Sequence, residues 1–371
     1  MKRAILLLLL VTPLLSGCSF LYTERREVEQ LRLAETMGLD AVPGGVLLSL
    51  ASFSGAEEEN ASCSSAVGAS VSDALERLQQ RSLEGPLFCG HLQHILVGEG
   101  LAGEGLLDLL SYVCHSSDLR LDMPVFLLLD ASAKEAMTTV EDGKGIADVL
   151  SALEQAEGEA ARLSSAGAIL RNLDEQGAAV VRTLRLAPSA EEGEKSGSTV
   201  EPDGYGVLVD GKLRALIHGE DALGVALLTD TLRPSPLVLE DASGRRATVE
   251  LQESSCSLQP LWGEDGALSG LEIRVRVQGA ALEIDDFSAV TDPHYADALT
   301  ARLESSLSRR IGNVLELSQS LGVDFLGLGR RLEQASPIRG RGLSRDLGVL
   351  LPNLRMSVSV QGELRHAGDM N

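Results

Sequence analysis

The segment from Ala187 to Gly204 constrains this chain most. It is dominated by Ser, Glu, Gly and Pro and carries neither a strand period nor a helix period of apolar residues. A stretch of that composition cannot bury enough surface to offset the entropy of ordering it. It reads as a linker or a long mobile loop, so packing is expected on either side of it. The expected organisation is an N-terminal α+β domain over 28–187, a linker over 188–204 and a C-terminal α+β domain over 205–371, with room for two subdomains divided near 285. A chain of 371 residues has material for two or three cores. Only 3% of it is aromatic, so Leu, Val and Ala must fill those cores.

The N-terminus sets the compartment. Lys2 and Arg3 precede an apolar run from Ala4 to Leu15, interrupted by Thr12 and Pro13. The run falls short of the roughly 20 residues that a spanning helix needs. A basic start and a short apolar stretch are the layout of a secretory signal, here residues 1–17. Leu14-Leu15-Ser16-Gly17-Cys18 resembles the bacterial lipobox. Cys18 is then the lipidation site, because a thiolate is the good nucleophile there to take a diacylglycerol. Two acyl chains of the palmitate kind anchor stably where one is marginal. Residues 18–27 are polar and form a tether. No second run of spanning length follows, so the body is expected outside the cytoplasm, held to a membrane by its lipid. A formal charge of −22 argues against nucleic acid and against a polybasic membrane patch.

Cys63, Cys89, Cys114 and Cys256 match no zinc spacing. The compartment permits disulfides, but sequence cannot pair them, and mostly buried free thiols is the favoured reading.

Periodicity predicts a mixed fold. Buried strands are expected over 45–53, 93–98, 123–130 and 180–186. Ala56 to Ser70 reads as a small, acidic loop. Ser72 is expected to cap a helix whose apolar face is Val71, Leu75 and Leu78. Further helices are expected over 100–114, 145–157 and 160–175. Gly206 to His218 reads as a hairpin turning at Asp210–Gly211. Short strands are expected over 237–240 and 247–251. Leu271, Ile273, Val275 and Val277 alternate with polar residues, as in a strand with one wet face. A long helix is expected near 292–321, with Asp292 as N-cap, Pro293 at the first helical position and Gly322 ending it. Its apolar stripe reads as core. Met356, Val358 and Val360 close the chain with a last strand. The fold class is α+β, multi-domain, with mixed and antiparallel sheets and packed helices.

The chemistry is sparse. The sequence holds no nucleophile elbow, P-loop, HExxH or dinucleotide fingerprint. His91 and His94, with Cys89, Glu99 and His115 nearby, suggest a metal site, but no firm third and fourth ligand follows from their spacing. The acidic pairs Asp285–Asp286 and Glu191–Glu192 and the run Glu57–Glu59 read as turn and loop residues. No catalytic residue, cofactor or metal ligand is assigned, and the chain is not expected to be an enzyme.

With these residues laid out, the chain resembles the Ger(x)C family, the C subunits of spore germinant receptors. Met37-Gly38-Leu39-Asp40 and the Gly45–Leu50 strand are similar to the family's opening. Leu87-Phe88-Cys89-Gly90-His91, Ile95-Leu96-Val97-Gly98-Glu99 and Ala102 form the most specific block. Leu106 to Leu110, Asp118, Arg120 and Val125 continue it. Gly206-Val207-Leu208-Val209, Lys212-Leu213 and Glu220 resemble the hairpin, with Leu208 where Phe is usual. Asp324-Phe325-Leu326-Gly327-Leu328-Gly329, then Pro337, Val358-Ser359-Val360 and Gly362, follow the C-terminal pattern, without the aromatic usual after the proline. The resemblance implies several α+β domains and a non-enzymatic role. It implies an A subunit and a permease-like B subunit as partners, on the outer face of the spore inner membrane. It leaves direct small-molecule binding and the germinant open. The alternative is a solute-binding lipoprotein of a transporter, whose two regular βαβ lobes fit an antiparallel second half poorly. A lipid-anchored hydrolase is a further alternative, for which the sequence offers no nucleophile and base pair.

Overall fold

The computed structural model describes residues 32–54, 62–82, 87–138, 145–188, 198–240, 244–284 and 293–365. The leader, Cys18, the tether, Glu57–Glu59, the centre of the expected linker with Glu191–Glu192, Asp285–Asp286 and Asp292 lie outside the described residues.

The first sheet contains β1 (Arg32–Val42), β2 (Gly45–Ser54), β3 (Ser62–Gly68), β4 (Leu87–Phe88), β5 (His94–Gly98), β6 (Val125–Leu129), β7 (Ala178–Pro188), β8 (Ser198–Val209) and β9 (Lys212–His218). Their order is β3-β2-β1-β5-β6-β7-β8-β9, with β4 pairing beside β1. The centre, β1-β5-β6-β7, is parallel. The two flanks are antiparallel. A parallel centre needs helices on both faces and strands apolar throughout. Accordingly every residue of β5 and β6 is buried.

Helices α1 (Val71–Arg81), α2 (Glu99–Glu104), α3 (Leu107–His115), α4 (Ala133–Thr138), α5 (Ile146–Glu157), α6 (Glu159–Leu163) and α7 (Ala166–Gln176) supply that cover. Leu78, Leu109, Leu110 and Ile169 pack with Leu39, Val97 and Leu127 on one face. Ala136, Met137 and Leu150 pack with Phe126 and Leu128 on the other. The 3.6-residue period explains the choice: each helix turns one apolar stripe to the sheet and leaves its charges wet.

After α8 (Ala222–Leu228), a second sheet is built from β10 (Ser235–Glu240), β11 (Arg246–Trp262), β12 (Leu268–Ile284) and β13 (Arg355–Arg365) in that order. Between β12 and β13 run α9 (Pro293–Leu321), α10 (Leu328–Ala335) and α11 (Leu343–Leu350). The stripe of α9 is core: Leu299, Leu303, Leu307 and Ile311 are fully buried and share a cluster with Ile273 and Val275. That same cluster takes in Val180, Tyr205, Val207 and Ile217 from the first sheet. One continuous core therefore joins the two sheets.

This differs from the organisation expected of the sequence. Pro188 and Ser198–Gly204 are strand, not linker: Leu186 pairs with Val200 and Pro188 with Ser198, so the described residues at both ends of 188–204 belong to the sheet. Backbone pairing holds this ribbon, and within Ser198–Gly204 only Val200 and Gly204 are buried, so no apolar alternation is required of it. β8 and β9 belong to the first sheet, although the expected boundary put 205 onward in a separate domain. β13 returns to pair with β12 across the expected division near 285. That pair is parallel, which the long α9 crossover makes possible.

Smaller differences have equally local causes. Ser70, not Ser72, caps α1, accepting from the Asp73 N–H at 3.2 Å. Ser62–Gly68 is an edge strand rather than loop, paired to β2 from Ser52↔Ser62 to Val46↔Gly68. The expected helix over 100–114 is two, broken at Gly105–Leu106, and that over 160–175 is also two, broken at Ser164–Ser165. The Asp210–Gly211 turn is as expected: both residues have positive φ, 50° and 77°, as a tight hairpin turn requires.

Candidate functional site

The histidine-rich block is the first place to look. Cys89 and His91 lie in a 3-10 turn and His94 opens β5, with Gln93 N–H bonded to the Glu35 carbonyl at 2.8 Å. A cleft of about 340 Å³ is lined here by His91, Gln93, Arg120, Asp122 and Glu154. The two histidines do not converge on it. His94 is fully buried, with its ring 6.2 Å from that of Phe126. Its Nε2 lies 3.3 Å from a Glu154 carboxylate oxygen, without hydrogen-bond geometry. Burial pulls the imidazole down to about 4, so at neutral pH the ring is uncharged and this contact is not an ion pair. His115 instead meets the Ser111 carbonyl at 2.8 Å, one turn earlier on α3. Among the described residues no group of three or more His, Cys, Asp and Glu side chains could hold a metal.

The cysteines stay apart as well. Cys63, Cys89, Cys114 and Cys256 are all free thiols; Cys89 and Cys256 are buried, Cys63 is half-buried and Cys114 is exposed. Burial pushes the Cys89 thiol up to about 11, aided by the Asp118 charge, which makes it a poor nucleophile.

Two acidic residues within these motifs, Asp40 and Asp324, are structural. Asp40, at the end of β1, accepts the Ala133 N–H at 2.7 Å and the Lys134 N–H at 3.0 Å, so it caps α4 from 93 residues away. Asp324 is buried and accepts the Leu328 and Gly329 N–H groups at 2.9 and 2.7 Å. Burial pushes its carboxyl up, and the backbone N–H groups of Gly329, Leu328 and Gly327 pull it back. Each carboxylate satisfies helix donors that would otherwise be unpaired inside the protein.

A buried charge pair, not legible in the sequence, sits where α5 meets the sheet. Arg182 Nε donates to Glu157 at 2.8 Å, and its Nη2 donates to the same oxygen. The guanidinium lies over the Tyr205 ring, 4.6 Å from its centroid. Further along the rim, Arg185 pairs with Asp203 at 2.7 Å and His218 bonds the other Asp203 oxygen. Strand pairing brings Arg182 opposite Tyr205, a register that follows from the β7–β8 hairpin. Cys18, the one site residue assigned from the sequence, lies outside the described residues. No described helix is long and apolar enough to cross a membrane.

Comparison with known proteins fits this picture. Residues 24–186 match the spore germination protein N-terminal domain, and residues 203–368 match the spore germination B3/GerAC-like C-terminal domain. The fold is similar to that in the crystal structure of the GerBC protein, at a TM-score of 0.58 and 14% identity, covering 91% of this chain and 99% of that one. A comparison with curated proteins gave no match. The two domain matches fall in family order and leave only residues 1–23, 187–202 and 369–371 uncovered, and the chain belongs to the Ger(x)C family of spore germination proteins.

Proposed function

We propose that this chain is the lipid-anchored C subunit of a nutrient germinant receptor, standing on the outer face of the spore inner membrane and acting through contacts with an A subunit and a permease-like B subunit. The observation that carries this reading is the succession of the two germination domains along almost the whole chain. The lipobox-like Leu14–Cys18 segment supports the anchor, and the high acidic charge supports a solvated body. The commitment of the motif acids Asp40 and Asp324 to capping supports a scaffold role over catalysis. Deletion of the chain tests the reading. Spores without it lose the response to the nutrients its receptor serves, and keep germination by routes that bypass nutrient receptors. Unchanged responses across an amino-acid and sugar panel contradict it.

A further inference from the structure

A groove of about 560 Å³ runs between α9 and the β10–β11 edge. Arg302, Ser305, Ser306, Arg309 and Arg310 project into it from α9, at spacings of three, four, seven and eight that place them on one helical face. Arg246 lines it from β11. Four arginines thus meet in one concavity of a chain whose formal charge is −22.

Two acids share the groove. Glu240 meets Arg246 at 3.2 Å, with both side chains exposed. Glu220 accepts from Arg310 Nη2 at 2.6 Å. That hydrogen bond and charge hold the Glu220 carboxyl below the usual carboxylate range. Neither acid is placed to satisfy the rest of Arg310. This residue is only 2% exposed, and its Nε and Nη1 have no hydrogen-bond partner among the described residues. A buried guanidinium with two unmet donors is costly, and because both atoms are closed to solvent an acceptor gains them only with a small shift of the groove wall. α8 fixes the arrangement, because a Cβ on Gly224 would stand 2.7 Å from the Arg310 carbonyl oxygen, so only glycine lets the helices approach this closely.

From this geometry we propose that the α9–β10 groove is a binding site for a compact oxyanion, a small molecule carrying phosphate or clustered carboxylates. Arg309 and Arg310 supply the fork of planar donors that suits such groups. Ser305 and Ser306 stand on the same helical face to add hydroxyl donors. The site does not depend on the receptor reading, since it rests on Arg310 and its neighbours alone.

The test is titration calorimetry on the full-length chain in neutral detergent. Inorganic phosphate and citrate are the probes, with ionic strength held constant by chloride. One saturable site is expected, and the anion that binds more tightly identifies the class. Arg309→Gln, at an exposed position, weakens that binding by about tenfold. Arg77→Gln on α1 leaves it unchanged. Arg310→Lys weakens it further, and if that variant fails to fold, Arg309→Gln still carries the test. No saturable binding of either anion, or equal affinity in Arg309→Gln and the unaltered chain, overturns the proposal.

Discussion

Gly98 stands so close to Asp40 that a Cβ built on it would lie 2.3 Å from the Asp40 Oδ1. The two residues come from adjacent parallel strands, and the absent side chain leaves the carboxylate free to cap α4. Gly98→Ala therefore pushes Asp40 off its donors. Asp40→Ala removes the acceptor outright and leaves the Ala133 and Lys134 N–H groups unmet. Each substitution is expected to cost about 1–3 kcal/mol, the range for stranding a buried donor. Urea unfolding midpoints check this, and an unchanged midpoint in both variants contradicts the capping role.

Burial of His94 predicts a loss of stability in acid. Burial pulls its imidazole down to about 4 in the folded protein, from the ordinary value near 6.5. A depressed folded value means that its contribution is present above pH 6.5 and is lost as pH falls towards 4. Integrated over that window, one proton amounts to about 3 kcal/mol. His94→Leu is expected to flatten the stability profile between pH 6.5 and 4. At pH 7 it leaves stability unchanged or raised, since it removes two unsatisfied buried nitrogens. An equally steep acid limb in the variant contradicts this assignment.

The Glu157–Arg182 pair predicts a double-mutant signature. Removing one member strands the other charge inside the protein, at a cost of about 3–5 kcal/mol. Glu157→Gln is therefore more damaging alone than when combined with Arg182→Met. Additive losses in the denaturation cycle contradict the coupling seen between these side chains.

The thiols predict an order of labelling. Cys114, the exposed one, reacts first with a maleimide on the native protein. Cys89 and Cys256 react only on unfolding, because both are buried and burial raises both thiols. Mass spectrometry of partially labelled chain checks the order, and early modification of Cys89 contradicts it.

Much of this fold was legible because periodicity reports burial. Leu271 to Val277 alternate and face the core of the second sheet, and Leu299 to Ile311 keep the stripe that packs on it. The Asp210–Gly211 turn was legible because its positive φ values demand such residues. Ser62–Gly68 was not, because an edge strand with few buried residues need not look apolar. The hairpin arms around 188–204 escaped for the same reason. Of the candidate sites, Cys18 is marked by a local motif. Arg310 carries no such mark: it precedes Ile311 in the α9 stripe, and a buried arginine is exceptional enough that sequence places it at the surface. The Arg182–Tyr205 contact depends on the β7–β8 strand register, which a linker-like composition does not report.

The proposed anchor predicts a clean separation of folding from location. Cys18→Ala leaves the unfolding transition of the body intact and shifts the protein from the membrane to the soluble fraction. Retention of the variant on membranes stripped of receptor partners contradicts Cys18 as the main anchor.

Co-purification from spore inner membranes, using a tagged copy of this chain in mild detergent, tests the central claim most directly. The account predicts recovery of a multi-pass A subunit and a permease-like B subunit in constant proportion to the tagged chain. Recovery of transporter components in their place, or of the tagged chain alone, contradicts it.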